Sequence, residues 1–266
     1  MQTEFEKRND ESSALTADMV KHAIKNNEFL LYYQPIVSLA EQQIKSAEAL
    51  VRWQHPTLGI IAPDQFMPIA EETGLIVDLS QWIFEVCLQQ YAKWQEAGLD
   101  MGLAINLSPK IIDNQSTLTV LEDLCKQLQI NPANISLELT ESAYKQYYNK
   151  KNELFHRLRA LGFKLAIDDF ELRYLNLPEL LSLEVDEIKL NKLHILNLDK
   201  DEYSQKITKI IINIAKNCGL IVSATGVENL ATWNLLEQYK CDQTQGYYIC
   251  KPVSVPEFNK WIGINN

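Results

Sequence analysis

Leu158-Arg-Ala-Leu-Gly-Phe-Lys-Leu-Ala-Ile-Asp-Asp169 contains the end of one predicted helix, a glycine and the whole of the next predicted strand. Much of the chain repeats this order of helix, glycine and strand. Tyr147, Tyr148, Phe155, Leu158 and Leu161 recur at the spacing of one buried helix face. Gly162 follows them, as glycine commonly does just past the end of a helix. The next residues form a short apolar run typical of a buried strand, and Asp168 and Asp169 end it. The stretch therefore predicts a helix, then a strand that ends in carboxylates.

The same helix, glycine and strand pattern recurs on both sides of this stretch. Two further stripes end at a glycine and lead into a short apolar run: Phe84–Trp94 before Gly98 and Gly102–Leu107, and Ile207–Cys218 before Gly219 and Leu220–Ala224. Similar runs are Ile135–Leu139 and Val185–Leu190. Strands that alternate with helices indicate βαβ units and a mostly parallel sheet. About seven or eight such units fit between Phe29 and Ile262, so we expect an α/β fold of the TIM-like (β/α)8 barrel class.

Composition is consistent with one large domain. The chain has 266 residues, of which 46% are hydrophobic, and β/α barrels of about 250 residues are ordinary single domains. We expect a polar N-terminal arm at 1–15 and one barrel domain at 16–266. The arm lacks the apolar stretch of a signal peptide. No apolar run approaches the roughly 20 residues that span a bilayer, so no membrane span is expected.

Charge and cysteine usage narrow the function classes. The formal net charge is −10 and Lys and Arg form no block, which disfavours a nucleic acid polymer as partner. An anionic ligand would therefore need metal ions or a few well-placed cations. Five cysteines without a C-x-x-C pair indicate reduced thiols and a cytoplasmic location, and the four histidines lack zinc-type spacing.

Polar side chains stand where the predicted strands end. They are Glu48 with Arg52, Asn106, Glu138, Asp168 with Asp169, and Lys189, and a last strand-like run begins near Gln245. From Asn106 to Glu138 is 32 residues and from Glu138 to Asp168 is 30, about one βα unit per step. In a parallel barrel these ends meet at one face, where sites are built.

A ring of carboxylates at one face would be costly in like-charge repulsion, which a divalent cation relieves. All-oxygen ligands favour Mg²⁺, Mn²⁺ or Ca²⁺ over zinc. Taken singly, a glutamate at a strand end is more typical of a solvated rim than of a site, Asn106 is consistent with a turn cap, and Lys189 is consistent with a surface lysine or an ion-pair partner. One such residue on each strand at barrel spacing is what favours a metal-assisted site. On strand ends alone, an enolase-like barrel with Lys189 as base is also open.

At these positions the sequence resembles the EAL family, bacterial domains that hydrolyse or bind cyclic di-GMP. The resemblance covers about residues 16–262. Its motifs are Tyr33-Gln-Pro-Ile36, Glu48-Ala-Leu-Val-Arg-Trp53 with His55-Pro56, Ala70-Glu-Glu-Thr-Gly74, Asn106-Leu-Ser108, Glu138-Leu-Thr-Glu-Ser142, Ile167-Asp-Asp-Phe170, Ile188-Lys189, Gly226-Val-Glu228 and Gln245-Gly-Tyr247. The resemblance implies a β/α barrel with one reversed strand.

The resemblance also implies roles for single residues. The first metal ion would be bound by Glu48, Asn106, Glu138 and Asp168, and the second by Asp168 and Asp169. Lys189 would contact the attacking water, and Glu141 would anchor the loop after Phe170. The implied ligand-binding residues are Gln34, Leu50, Arg52, Glu228 and Gln245. The implied cofactor is Mg²⁺ or Mn²⁺, with Ca²⁺ as a substitute that does not support turnover.

Three departures from the family pattern bear on activity. The loop Gly-Thr-Gly-Tyr-Ser-Ser reads Glu171-Leu-Arg-Tyr-Leu-Asn176, so Glu171 and Arg173 replace glycines. If those positions need positive φ, a side chain costs roughly 1 kcal/mol or more, and the loop must take another path. Thr225 stands where Ala-Glu-Gly-Val-Glu has its first glutamate, and Asn191 replaces the aspartate of Lys-Ile-Asp.

These departures favour a cyclic di-GMP-binding EAL domain with weak or absent phosphodiesterase activity, acting in bacterial second-messenger signalling. The first alternative is an active Mg- or Mn-dependent phosphodiesterase that releases pGpG. The second is a protein-interaction module that has lost the ligand. A homodimer and a protein partner are both left open by the sequence.

Overall fold

Nine strands form one sheet in the computed structural model, which describes residues 15–111, 114–148, 153–172, 179 and 183–264. The strands are β1 Phe29–Ser38, β2 Ile44–His55, β3 Gly59–Ile61, β4 Gly102–Asn106, β5 Ile135–Thr140, β6 Lys164–Phe170, β7 Glu187–Leu190, β8 Ile221–Thr225 and β9 Gln243–Gln245. Eight of them close into a barrel, because β1 pairs with both β2 and β9. The ninth, β3, pairs only with β2, as a hairpin.

One strand of the barrel runs against the others. β1 is antiparallel to β2 and to β9, whereas the pairs from β2 through β4 to β9 are all parallel. The predicted TIM-like barrel with one reversed strand is therefore confirmed. The carboxyl ends of the seven parallel strands open at the same face of the barrel.

The helices lie between the strands in chain order. They are α1 Ala17–Lys25, α2 Pro63–Thr73, α3 Ile76–Glu96, α4 Gln115–Gln127, α5 Glu141–Tyr148, α6 Glu153–Ala160, α7 Lys192–Ile195, α8 Glu202–Asn217, α9 Leu230–Gln238 and α10 Val255–Trp261, with short 3-10 turns at Pro109–Ile111 and Pro132–Asn134. The predicted stripe of α3 is core, because Phe84, Cys87, Tyr91 and Trp94 are all buried. Gly98, Gly162 and Gly219 follow α3, α6 and α8 with positive φ, as the sequence predicts.

Side chains of the strands alternate between the helices and the barrel axis. In β5, Leu137 and Leu139 are buried on the side opposite to Glu138, which points to the axis and meets the side chain of Lys189. Burial of one large apolar side chain stabilises a fold by about 1.5–3 kcal/mol. The outward apolar face thus holds the barrel together, and the inward face is left for polar groups.

Two predicted strand boundaries differ from the structure. β2 continues seven residues past Glu48, to His55, because it pairs with β4 only over Ser46–Ala49 and extends as a ribbon with β1 and β3. Gln245 ends the last barrel strand instead of beginning it. Of the predicted N-terminal arm, residues 1–14 lie outside the described part of the chain. None of the described helices is long and apolar enough to cross a bilayer.

Candidate functional site

Lys189 lies at the centre of a polar cluster inside the barrel. Its Nζ is 2.5 Å from Glu138 Oε2, 2.9 Å from Glu48 Oε2 and 3.9 Å from Asp168 Oδ1. The lysine side chain is 1% exposed, so its ammonium exchanges water almost entirely for carboxylate oxygens. Side chains from β2, β5, β6 and β7 therefore meet at one point.

Amide side chains extend this cluster across the barrel. Asn106 Nδ2 donates to Glu48 Oε1 at 3.0 Å. Gln245 Nε2 lies 2.8 Å from Glu48 Oε2 and 3.0 Å from Gln34 Oε1. Gln34 in turn donates to the carbonyl of Cys250 at 2.9 Å. Both oxygens of Glu48 are thus held in place by neighbours on other strands.

Asp168 and Asp169 both line the cavity above this cluster although they are adjacent in β6. In a regular strand, neighbouring side chains point to opposite faces. The pairing of β6 with β7 shifts register between Ile167 and Phe170, and Asp169 has a φ of 52°. Such a bulge re-aims a side chain and is frequent next to functional sites. The bulge therefore brings two consecutive carboxylates to one opening.

Glu48, Leu50 and Arg52 share one face of β2, because residues two apart along a strand point the same way. Leu50 lines the cavity with Glu48. Arg52, further toward solvent, donates to the carbonyl of Val51 at 2.8 Å, and its guanidinium lies 5.7 Å from the centre of the Tyr32 ring. A guanidinium placed in this way offers its remaining donors to an anion.

The cluster holds more negative than positive groups. Burial raises the pKa of Glu138 well above its usual value, and Lys189 only partly offsets that rise. Burial likewise raises the pKa of Asp168. For Glu48, burial acts upward, but Lys189 and the hydrogen bonds from Gln245 and Asn106 leave the pKa below its usual value. Burial would lower the pKa of Lys189, yet its carboxylate neighbours hold it well above the ordinary value.

These side chains suit a hard divalent cation by their chemistry. Glu48, Glu138, Asp168 and the amide of Asn106 supply only oxygen donors to such an ion, which is what Mg²⁺ and Mn²⁺ prefer. Within the described residues, no three His, Cys, Asp or Glu side chains are grouped closely enough to hold a metal ion. Lys189 stands between the carboxylates instead, so a metal ion would have to take over the contacts that this ammonium makes.

A cavity of about 370 Å³ opens above the cluster. This volume lies within the roughly 300–1,000 Å³ typical of ligand pockets. The cavity is lined by Gln34, Glu48, Leu50, Asp168, Asp169, Lys189, Lys192, Leu196, Thr225, Gly226, Glu228, Gln245, Gly246 and Tyr247. The polar residues are mostly on the barrel side, and Leu50, Leu196 and Tyr247 add apolar surface.

Four predicted site residues lie outside this lining. Asn106 and Glu138 sit below it, in contact with Glu48 and Lys189. Glu141, the predicted loop anchor at the start of α5, is buried and accepts a hydrogen bond from the backbone N–H of Glu171 at 3.0 Å. Arg52 stands beside the opening on the same strand face as Leu50.

The loop after Phe170 keeps part of its predicted attachment. Glu171 does not adopt positive φ; Leu172 does, with φ of 60°. The positive φ thus falls at Leu172, between the two positions where the family pattern has glycine, and Glu171 itself carries no such strain. Arg173 and the rest of the quoted loop to Asn176 lie outside the described residues.

Two other departures are accommodated locally. The Thr225 hydroxyl donates to the carbonyl of Leu190 at 2.7 Å. Asn191 caps the short helix α7, since its Oδ1 accepts from Leu193 N at 2.8 Å. Both neutral side chains are therefore engaged with backbone and leave no carboxylate at these positions.

The cavity also contains residues to which the sequence assigned no role. Lys192, Leu196, Gly246 and Tyr247 are among them. Gly246 has a clear structural reason, because a Cβ there would lie 2.1 Å from the carbonyl oxygen of Val227. For Lys192, the sequence indicated a place near the cavity only through its position three residues after Lys189.

Comparison with known proteins identifies the family. The family model of the EAL domain matches residues 17–252. Signaling protein YkoW of Bacillus subtilis (strain 168) is 32% identical over 255 residues, which cover 96% of this chain and 32% of that protein. Cyclic di-GMP phosphodiesterase PdeR of Escherichia coli (strain K12) is 31% identical over 242 residues, covering 91% of this chain and 36% of that protein.

A solved structure is similar at the level of the fold and the sequence. The PaMucR phosphodiesterase in complex with c-di-GMP superposes with a TM-score of 0.86 at 29% identity, covering 90% of this chain and 97% of that one. The chain spans about a third of the length of the curated relatives just described. With a barrel of this topology and a family match over most of its length, the chain belongs to the EAL domain family.

Proposed function

We propose that the cavity binds cyclic di-GMP and that the chain hydrolyses this ligand slowly or not at all, as part of second-messenger signalling. The observation that carries the proposal is the cluster of Glu48, Asn106, Glu138, Asp168 and Lys189, which come from five strands and meet below one cavity. The name of PdeR and the ligand in the PaMucR complex support cyclic di-GMP as the substrate class.

The chemistry of the cavity suits a cyclic dinucleotide. Such a ligand carries two flat bases and two phosphodiester groups. Tyr247 and Leu196 offer apolar surface to a base, and aromatic faces stack on bases regardless of sequence. Arg52 presents a fixed fork of donors that matches phosphate. We assign Gln34, Leu50, Arg52, Glu228 and Gln245 to ligand binding.

The metal roles follow from the donor set. We assign Glu48, Asn106, Glu138 and Asp168 to a first Mg²⁺ or Mn²⁺ ion, Asp168 and Asp169 to a second, and Ca²⁺ as a non-productive substitute. Two divalent ions held by these residues would supply activation of a water molecule and stabilisation of the leaving oxygen in an in-line displacement. Lys189 is assigned to hold that water, since its ammonium lies among the carboxylates assigned to the metal ions.

Weak hydrolysis is supported by the groups that are neutral here. The Thr225 hydroxyl is bonded to backbone and carries no charge, and Asn191 is occupied as a helix cap. Loss of one partner around a metal site commonly lowers activity or metal affinity by about 10–100-fold. Two such losses, with an altered loop after Phe170, favour binding over turnover.

The second candidate is an active phosphodiesterase that releases pGpG. It is favoured by the retained Glu48, Asn106, Glu138, Asp168 and Asp169 together with Lys189. A module that binds only protein is the third candidate, and the intact face of Glu48, Leu50 and Arg52 counts against it. Domain limits of 16–266, a cytoplasmic location, a homodimer and a protein partner stay predictions.

Two assays on the 266-residue chain test the proposal. Calorimetry with cyclic di-GMP in Ca²⁺ should give a dissociation constant at or below about 1 μM, equivalent to about −8 kcal/mol. A product assay in Mg²⁺ and in Mn²⁺ should show pGpG formation close to background. Rapid turnover would establish the second candidate, and absence of heat at high ligand concentration would favour the third.

Arg52→Ala tests the location of the ligand. A hydrogen bond to a charged group contributes about 1.5–3 kcal/mol, so affinity should fall by roughly 10–100-fold. Arg157→Ala is the matched control, because Arg157 pairs with Glu122 on the outside of the barrel and makes the same change in net charge. Equal affinity of Arg52→Ala and the intact chain would place the ligand elsewhere.

A further inference from the structure

Two lysines line the cavity, and they differ in what they contact. Lys189 is committed to Glu138, Glu48 and Asp168 at distances of 2.5 to 3.9 Å. The charge of Lys189 is therefore already balanced by carboxylates, and this lysine is poorly suited to bind a further anion. Lys192 also lines the cavity, and its side chain is exposed to solvent.

No ion pair within 4 Å connects Lys192 to a carboxylate of the described residues. The residues near Lys192 explain why it has no such ion pair. Asn191 precedes Lys192 in the chain and is neutral. Thr225, also neutral, precedes Gly226, against which Lys192 packs. Both are positions where the sequence replaces a carboxylate of the family pattern, so neither residue supplies a negative charge to this lysine.

The stem of Lys192 is held by its neighbours. A Cβ at Gly226, which has φ of 83°, would lie 2.8 Å from Lys192 Cβ. Only glycine at position 226 permits the backbone to approach the first carbon of the lysine side chain this closely. Asn191 Oδ1 caps the helix that Lys192 begins. A side chain packed against Gly226 at its base, with no ion pair to any carboxylate of the described residues at its head, is consistent with a cation placed for a ligand.

We propose that Lys192 is a phosphate-binding residue that determines affinity for the phosphodiester groups of cyclic di-GMP. This inference rests on the proposed function. Lysine binds phosphate as a point charge, and the cavity is otherwise rich in carboxylates, which repel the ligand. Arg52 on β2 and Lys192 at the start of α7 then supply positive charge from two different elements, one for each phosphodiester group.

Calorimetry with cyclic di-GMP in Ca²⁺ tests this on the full chain. Lys192→Gln should bind about tenfold more weakly than the intact chain, as expected for loss of one charged contact. Its affinity should also depend less steeply on salt, because one screened charge pair is gone. Lys192→Arg should stay within about threefold of the intact chain, since it keeps the charge. Lys200→Gln is the matched control, because Lys200 is exposed on the following segment and does not line the cavity.

The outcomes separate the inference from the proposed function. If the intact chain fails to bind cyclic di-GMP, both are overturned. If the intact chain binds and Lys192→Gln binds equally well with the same salt dependence, only the role of Lys192 is overturned. An equal loss in Lys200→Gln would also overturn it, since the effect would then come from net charge. Thermal unfolding of each variant shows whether any loss reflects folding instead.

Discussion

At the scale of single residues, Lys189 serves as the counter-ion of the barrel interior. It is buried and contacts Glu138 and Glu48 as well as Asp168. Removal of one partner from a buried ion pair leaves an uncompensated charge, which costs more than the pair contributes. The carboxylates would then be compatible with the fold only by taking up protons or by binding another cation.

Lys189→Met should make the chain markedly less stable and more responsive to metal. We expect a loss of about 3–5 kcal/mol in the free energy of unfolding without divalent ions, the range for breaking a buried pair. Mn²⁺ should raise the melting temperature of this variant more than that of the intact chain, because it replaces the missing positive charge. Denaturant and thermal unfolding with and without Mn²⁺ measure both effects.

Lys216→Met is the control for this comparison. Lys216 pairs with Asp242 at 2.5 Å, but both side chains are about a third exposed. Surface pairs contribute at most about 1 kcal/mol, so this variant should lose little stability and gain nothing specific from Mn²⁺. A Lys189→Met protein as stable as the intact chain, with no added response to Mn²⁺, would contradict the role of Lys189 as counter-ion.

Residue patterns allowed part of this site to be predicted. Strand ends at one βα spacing were enough to bring Asn106, Glu138 and Asp168 to one face. Simple alternation, however, would send Asp169 away from Asp168. The bulge that turns both to the cavity depends on pairing between β6 and β7, which is a contact between distant parts of the chain and leaves no mark in the local pattern.

At the scale of elements, two short loops form one wall of the cavity. Val227 N donates to Gln245 O at 3.1 Å, and Tyr248 N donates to Val227 O at 3.0 Å. The loop after β8 and the turn after β9 are therefore joined by backbone hydrogen bonds. Gly246 permits this approach, since any Cβ there would lie 2.1 Å from Val227 O.

Gly246→Ala should separate these loops and destabilise the chain. Overpacking typically costs about 1–3 kcal/mol, and a clash with backbone should fall at the upper end. Gly98→Ala is the control, because Gly98 has positive φ but no atom within 4 Å of the added Cβ. It should cost about 1–2 kcal/mol from backbone strain alone. Denaturant unfolding of both variants measures the difference, and equal losses would show that the contact with Val227 yields easily.

Element boundaries show where sequence reasoning reached its limit. The apolar stripe and following glycine correctly predicted the ends of α3, α6 and α8. The stripe before Gly162 was wrong at its start, because Tyr147 and Tyr148 belong to the end of α5 and only the residues from Phe155 on belong to α6 or follow it. The length of β2 was not predicted, because its outer half is set by pairing with β1 and β3. Gln245 was placed at the start of a strand that it ends, since β9 has only three residues and no apolar run to mark it.

At the scale of the whole molecule, closure of the barrel depends on one reversed strand. β1 joins β2 to β9, and without it the sheet would have two open edges. Periodicity predicted alternating strands and helices but could not give the direction of any strand. The resemblance implied that one strand is reversed, without saying which, and the structure shows that it is β1. Whether a strand runs parallel or antiparallel depends on the strands with which it pairs, and those pairings form only in the closed sheet.

A closed barrel should open as one cooperative unit, and the cysteines are placed to report this. Cys87, Cys125 and Cys241 are buried, whereas Cys218 and Cys250 are partly accessible. Burial raises the pKa of Cys125 to about 11 and that of Cys241 to about 12. The thiolate is the reactive form, so these thiols are protected in the folded chain both by exclusion of reagent and by protonation.

Site-resolved labelling with a thiol reagent at pH 8 should therefore divide the cysteines into two classes. Cys218 and Cys250 should react first in the folded chain. Cys87, Cys125 and Cys241 should react later, because each is exposed only when the barrel opens. Their three rate constants should be equal and should rise with denaturant concentration to the same extent. Mass spectrometry of the labelled peptides gives the rate at each site. Reaction of Cys125 ahead of Cys87 and Cys241, with a weaker dependence on denaturant, would mean that α4 opens while the rest of the barrel stays closed. In that case the barrel would be closed in the folded chain, but its helices and its sheet would not all unfold in one transition.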